Sequence, residues 1–159
     1  MKEIKGNLID LGLEGHFDII VHGCNCFCTM GAGIAKEIKE RIPDAWRADQ
    51  RTRKGDIMKL GNYTFADLEI NDKGWLTIIN AYTQYRYGPN HEDGDKKPVD
   101  YDAIKLVMRK INHNYKRKSI GIPLIGSGLA GGDWEKIKKI IEIELKDMDV
   151  TIVHYDKNK

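Results

Sequence analysis

Two short apolar runs in this 159-residue chain each empty into a glycine-rich stretch that passes straight into a helical pattern, and this arrangement constrains the fold most. The first run is Asp18-Ile19-Ile20-Val21-His22, followed by Gly23-Cys24-Asn25 and then Cys28-Thr29-Met30-Gly31-Ala32-Gly33-Ile34-Ala35. The second is Ser119 to Ile125, followed by Gly126-Ser127-Gly128-Leu129-Ala130-Gly131-Gly132-Asp133-Trp134. Short β-branched runs of this kind fill buried strands. In sheets built from alternating strands and helices, ligands collect beyond the carboxyl ends of the strands, where such loops turn into helices.

The remaining segments keep the alternation. Residues 2–5 and 8–11 predict a first strand or pair of strands. Ile34, Ile38 and Ile42 form a helical stripe over Gly33 to Arg41 that Pro43 closes, and a second helix is expected over Asp44 to Arg53 with Asp44 as its cap. Residues 62–66 and 76–81 read as strands joined by a turn at Asn71-Asp72-Lys73-Gly74. Tyr87 to Lys97 reads as a loop. Helices over about 99–116 and 134–146 and a last strand over 150–155 complete the chain. The predicted fold class is α/β: a three-layer α/β/α sandwich around a central mixed sheet, formed by residues 1–159 as a single domain.

Composition narrows the function classes. No apolar run approaches the roughly 20 residues that span a bilayer, so no membrane association is expected. The opening MKEIKGNLIDL lacks the continuous apolar stretch of a signal peptide, and cytoplasmic residence follows as the expectation. Lys and Arg number 26 against 24 Asp and Glu, a balance that gives no reason to expect a nucleic-acid backbone as partner. Cys24, Cys26 and Cys28 are too close and too few to pair fully, which fits reduced thiols. With His22 they offer four soft ligands, but not at the C-x2-C spacing that wraps a metal, and neither a metal nor a cofactor is expected.

Glycine lets a backbone approach a ligand closely, and the first turn of a helix has unpaired N–H groups that suit an anion. Neither loop is a Walker A motif, because no Gly-Lys-Ser/Thr follows. Gly126-Ser127-Gly128 with Gly131 matches the dinucleotide fingerprint only in part, and about 30 residues remain after it, too few for a Rossmann domain.

Val21-His22-Gly23-Cys24-Asn25 followed by Met30-Gly31-Ala32-Gly33-Ile34-Ala35 resembles the macro-domain motif. Lys5-Gly6-Asn7-Leu8 is similar to the family's opening Gly-Asp-Ile/Leu, Ile122 to Gly128 to its second phosphate loop, and Val153-His154-Tyr155 to its closing strand. Within the family, His22-x-Cys24-Asn25-Cys26 and Gly6-Asn7 are most similar to the yeast-type ADP-ribose 1″-phosphate phosphatases. Met30 to Ala35 is equally close to the terminal ADP-ribose protein glycohydrolase branch. That branch uses a lysine and an aspartate, and the matching positions here look like Gln84 and Ala130.

The resemblance implies a pocket for an ADP-ribose derivative, with an ADP-ribosylated protein as a further partner. Asn7, with Leu8 beside it, stands where the family has the Asp that accepts the adenine amino group; a turn after Gly6 is the structural alternative. Asn25 matches the residue that bonds the terminal ribose, although an Asn there also forms turns. Met30, Gly31, Ala32, Gly33 and Ile34 are expected around one phosphate. Ser127, Gly128, Leu129 and Ala130 would hold the other phosphate and the ribose, Gly131 and Gly132 would leave room for a phosphate on C1″, and Tyr155 would cover the adenine. His22 and Asp133 are the candidates for acid–base or nucleophilic work. For Asp133 the alternative is an N-cap before Trp134-Glu135, and for His22 a backbone hydrogen bond. The leading expectation is a phosphatase that converts ADP-ribose 1″-phosphate to ADP-ribose and phosphate. The alternatives are a non-catalytic ADP-ribose reader and an ADP-ribosyl hydrolase acting on modified protein or nucleic acid.

Overall fold

A computed structural model describes residues 1–87, 99–128 and 130–156. The expected loop over 87–97 therefore lies outside the described residues, apart from Tyr87. Six strands form one sheet in the order β1-β6-β5-β2-β4-β3. They are β1 Lys2–Gly6, β2 Ile19–Cys24, β3 Tyr63–Glu69, β4 Trp75–Tyr82, β5 Ser119–Ile122 and β6 Asp149–Tyr155. All neighbours run parallel except β3 against β4, so the sheet is mixed.

The strands are apolar on both faces, and alternate residues serve different helices. Ile19, Val21, Ile79, Ile120, Ile122 and Ile152 pack with Ile104, Met108 and Ile111 of α4 (Tyr101–Asn114) and with Ile137 and Ile141 of α5 (Trp134–Glu144). Ile20, Ile78 and Val153 point the other way. They meet Leu8 and Ile9 of α1 (Leu8–Leu13), Ile38 of α2 (Gly33–Arg41) and Ala45 of α3 (Pro43–Gln50). Two helical layers thus cover one sheet, as expected for a three-layer α/β/α sandwich. No helix among the described residues is long and apolar enough to cross a membrane.

Two local expectations are corrected. Residues 8–11 are helix rather than strand: the Asn7 side chain accepts the Asp10 N–H at 3.0 Å and starts α1. The apolar Leu8 and Ile9 could have suited either state, and the cap decides. α1 lies tight on the sheet because Gly121 has no side chain, since a Cβ there would fall 2.7 Å from Leu8 Cδ1 and from Phe17. α3 begins at Pro43 without a side-chain cap, so Asp44 sits in its first turn instead.

A two-lobed candidate ligand cleft

The carboxyl ends of β1, β2, β4, β5 and β6 converge on one edge of the sheet, and the loops that leave them enclose a cleft of two lobes. An apolar lobe of about 510 Å³ is lined by Asn7, Leu8, Ile9, Ile34, Val153 and Tyr155, with Gly6, Glu37, Pro123 and Leu124. A second lobe of about 520 Å³ is lined by Gly23, Asn25, Thr29, Gly31, Ala32, Gln84, Tyr87 and Ala130, among others. Gly33, Ile34, Pro123, Leu124 and Gly128 line both, so the lobes meet at the two glycine loops.

The first loop is bare on its cleft side. A Cβ built on Gly31 or Gly33 would meet nothing within 4 Å, and the same holds for Gly128 of the second loop. Gly33 has φ +58°, which brings the chain into α2 in a conformation that suits glycine. Ala32 caps α2 without a side-chain bond, so the free N–H groups of that first turn sit at the neck between the lobes.

Beneath this loop lies a buried polar network. His22 Nε2 is 2.6 Å from Asn80 Oδ1, and Asn80 Nδ2 donates to Thr64 Oγ1 at 3.0 Å and to the Ala45 carbonyl at 2.9 Å. Thr64 meets the Tyr82 hydroxyl at 2.9 Å, which donates to Asp49 Oδ1 at 2.8 Å. Burial raises the pKa of the Asp49 carboxyl, while the Tyr82 bond and the Lys59 charge oppose the rise. Lys59, itself buried, donates to Thr52 Oγ1 at 2.8 Å and to Cys28 Sγ at 3.6 Å. Burial also pushes the Cys26 thiol up to about 11 and raises Cys24, so both stay protonated at neutral pH. No group of His, Cys, Asp or Glu placed to hold a metal occurs among the described residues.

The expected catalytic pair is not in the cleft. His22 has no exposed surface, bonds Asn80 rather than backbone, and is pushed down to about 4 by burial, so it is neutral and out of reach of a ligand. Asp133 accepts the Glu135 N–H at 3.0 Å as the N-cap of α5 and lines neither lobe. Among the proposed contact residues, Met30 is turned into a cluster with Cys24, Cys26 and Tyr82. Ser127 Oγ donates to the Leu124 carbonyl at 2.7 Å, and Gly131 donates to the Gly128 carbonyl at 2.9 Å. These three line neither lobe, because each side chain or backbone group serves the fold. Gly132 lines neither lobe either, and its missing Cβ would lie 2.6 Å from the Gly126 carbonyl oxygen. Leu129 lies outside the described residues.

Asn7, Leu8, Asn25, Gly31, Ala32, Gly33, Ile34, Gly128, Ala130 and Tyr155 do line the cleft. Asn25 is almost buried and closes its own loop, donating to Thr29 Oγ1 at 2.7 Å and accepting from the Phe27 N–H at 2.8 Å. Thr29 and Glu37 were not singled out from sequence, whereas Gln84 and Tyr87 belong to the Tyr82 to Tyr87 stretch, which reads from sequence as one wall of the cleft. The i, i+3 pattern Ile34-x-x-Glu37 puts Glu37 on the face beside Ile34, which is the signal that could have found it.

Fold and cleft together define an open α/β domain with a ligand site at the carboxyl ends of its strands, at a pair of glycine loops. The chain belongs to the macro domain family, whose model matches residues 21–141. It is 33% identical, over 98% of its length and 97% of the relative's, to the "uncharacterized 17.5 kDa protein in tk-vs intergenic region" of Enterobacteria phage T4. It is 26% identical to a DNA ADP-ribosyl glycohydrolase of Mycobacterium tuberculosis, covering 88% of this chain but 39% of that protein. It is 25% identical to an ADP-ribose 1″-phosphate phosphatase of Saccharomyces cerevisiae, covering 94% of this chain and 95% of that one. A crystal structure of a Bacteroides thetaiotaomicron protein superposes with a TM-score of 0.76 at 25% identity, covering 97% of this chain and 99% of the other. Thermosipho africanus DarTG in complex with ADP-ribose superposes at 0.70, with 16% identity, over all of this chain and 43% of that protein, a likeness of fold alone.

Proposed function

We propose that this chain is a single macro domain that binds an ADP-ribose derivative along the cleft and releases phosphate from its C1″ position. The two-lobed cleft carries the reading. An apolar lobe walled by Ile34, Val153 and exposed Tyr155 suits a flat base, and a neck of open glycines with free helix N–H groups suits a diphosphate. The second lobe, edged by Asn25, Thr29 and Gln84, suits the distal ribose and its substituent.

The described residues of that second lobe include no carboxylate or imidazole. Phosphoryl transfer through a loose transition state depends on positioning and charge stabilisation, with little covalent work for the protein. Backbone N–H groups of the first loop are suited to that, at a modest rate, and Asn25, whose amide bonds Thr29 and Phe27, holds the loop that presents them. The phosphatase relative supports this choice over the glycohydrolases, since nearly its whole length has a counterpart here. A reducing cytoplasmic setting agrees with three free cysteines.

The experiment is incubation with ADP-ribose 1″-phosphate while free phosphate is followed, with calorimetry of ADP-ribose on the same samples. Phosphate release that survives His22→Gln and Asp133→Ala but is lost in Asn25→Ala is expected. ADP-ribose binding without release leaves a reader, and absence of binding removes the site.

One observation favours a second reading, an ADP-ribosyl hydrolase acting on nucleic acid. Tyr87 borders the second lobe and stands edge-on to Phe27 at 6.2 Å, and Phe27 meets Tyr85 at 5.0 Å. Arg86 stands over the Tyr85 ring at 6.0 Å, the Tyr85 hydroxyl bonds the carbonyl of Gly55 next to Lys54, and Arg51, Arg53, Lys54 and Arg86 are exposed with no acidic partner among the described residues. The near-neutral total charge conceals this local grouping, and rings beside unpaired cations suit single-stranded nucleic acid. Release of ADP-ribose from a modified oligonucleotide, with no phosphate release from the 1″-phosphate, would select it.

A further inference from the structure

A purine is distinguished along its edge: adenine offers an amino donor where hypoxanthine offers a carbonyl acceptor, so a site that selects adenine needs an acceptor there. The resemblance gave that role to Asn7, but its side chain is already engaged at both ends. Asn7 Oδ1 accepts the Asp10 N–H at 3.0 Å as the cap of α1, and Nδ2 donates to Glu37 Oε1 at 3.3 Å. Glu37 stands on α2, thirty residues away in sequence, and lines the apolar lobe. Arg41 donates to the same Oε1 at 3.0 Å and pairs with Asp10 at 2.7 Å, so the carboxylate is held from two sides while one cation shared by two carboxylates leaves the cluster net negative. Glu37 Oε2 has no partner among the described residues.

We infer that Glu37 is the residue that selects adenine: Oε2 accepts a hydrogen of the exocyclic amino group, while Asn7 and Arg41 position the carboxylate through Oε1. The inference rests on the ADP-ribose reading above. The negative charge that an Asp at position 7 would bring to this lobe is supplied instead from α2. A carboxylate accepting an N–H makes a stronger bond than an amide oxygen does, and it repels the carbonyl of hypoxanthine. Sites built around such a bond reject ligands that lack the donor, because the buried partner is left without one.

Calorimetric titration of ADP-ribose and of its hypoxanthine analogue into wild type, Glu37→Ala and Glu37→Gln tests this. Wild type is expected to favour adenine by about tenfold or more. Glu37→Ala should bring the two affinities together, mainly by weakening ADP-ribose. Glu37→Gln can turn an amide N–H toward the hypoxanthine carbonyl and should shift the preference toward that analogue. The ratio within each variant is the readout, because a purely structural role for Glu37 would weaken both ligands alike. Wild type binding both ligands equally, or Glu37→Ala keeping the wild-type ratio, overturns the assignment and leaves ADP-ribose binding intact. Wild type binding neither overturns both.

Discussion

The two glycine loops look alike in sequence and are held in opposite ways. In the first, Gly31 and Gly33 face open space, and the loop is fixed from below by the buried chain of hydrogen bonds through His22, Asn80, Tyr82 and Asp49. In the second, Gly126 and Gly132 are packing elements. A Cβ on Gly126 would lie 2.9 Å from Val99, and one on Gly132 would lie 2.8 Å from Ile137 as well as 2.6 Å from backbone, whereas one on Gly128 would meet nothing within 4 Å. Absent side chains therefore make room for a ligand in one loop and for α5 against the core in the other. A glycine-rich stretch between strand and helix does not by itself say which.

The largest effect separating the loops should come from Gly132→Val. Its branched side chain collides with backbone that cannot yield, at about 4 kcal/mol of stability, read by urea denaturation. A small loss would mean that the second loop is not packing-limited.

The foundation of the first loop is polar, so acid should weaken it. An imidazole takes its proton near pH 6.5 in the unfolded chain, and His22 does so only near about 4 in the folded protein. Between those values the unfolded state binds more protons. The stability in question is complete above the unfolded pKa and falls by roughly 3 kcal/mol as pH drops toward the folded one. Asp49, whose carboxyl is raised, tilts the other way in its own titration range. Denaturation at a series of pH values should show a steeper acid loss for wild type than for His22→Gln; equal slopes would remove His22 from this role.

Gly31→Val should move stability no more than an exposed substitution does, within about 0.5 kcal/mol, yet weaken ADP-ribose about 100-fold by filling the second lobe. Unchanged affinity would show that the bare face of the first loop is not where the ligand lies. Smallest of all, Asp133→Ala should lose about 1 kcal/mol with its cap and leave phosphate release unchanged. A large loss of turnover would return Asp133 to the chemistry.

Much of this was legible from local pattern. The isoleucine stripe gave α2 its ends at Gly33 and Arg41, and the β-branched runs gave β2, β4 and β5. Asp133 before Trp134-Glu135 carried its cap signature openly. Residues 8–11 were misread because four apolar-rich residues fit either period, and the Asn7 to Asp10 capping bond outweighed them. His22 was misplaced for a different reason. A residue at the end of a buried strand can face the loop or the interior, and here its partner Asn80 comes from β4, fifty-eight positions later.

By itself the sequence determined the order of strands and helices apart from α1, the mixed sheet and the loops that would meet at its edge, because periodicity, caps and glycines act over a few neighbouring residues. Tertiary structure alone decided which glycines open on the cleft, that His22 is buried, and that Glu37 reaches the lobe beside Asn7. Those outcomes depend on what arrives from distant parts of the chain, and no local pattern records the distance between a side chain and a partner thirty or sixty residues away.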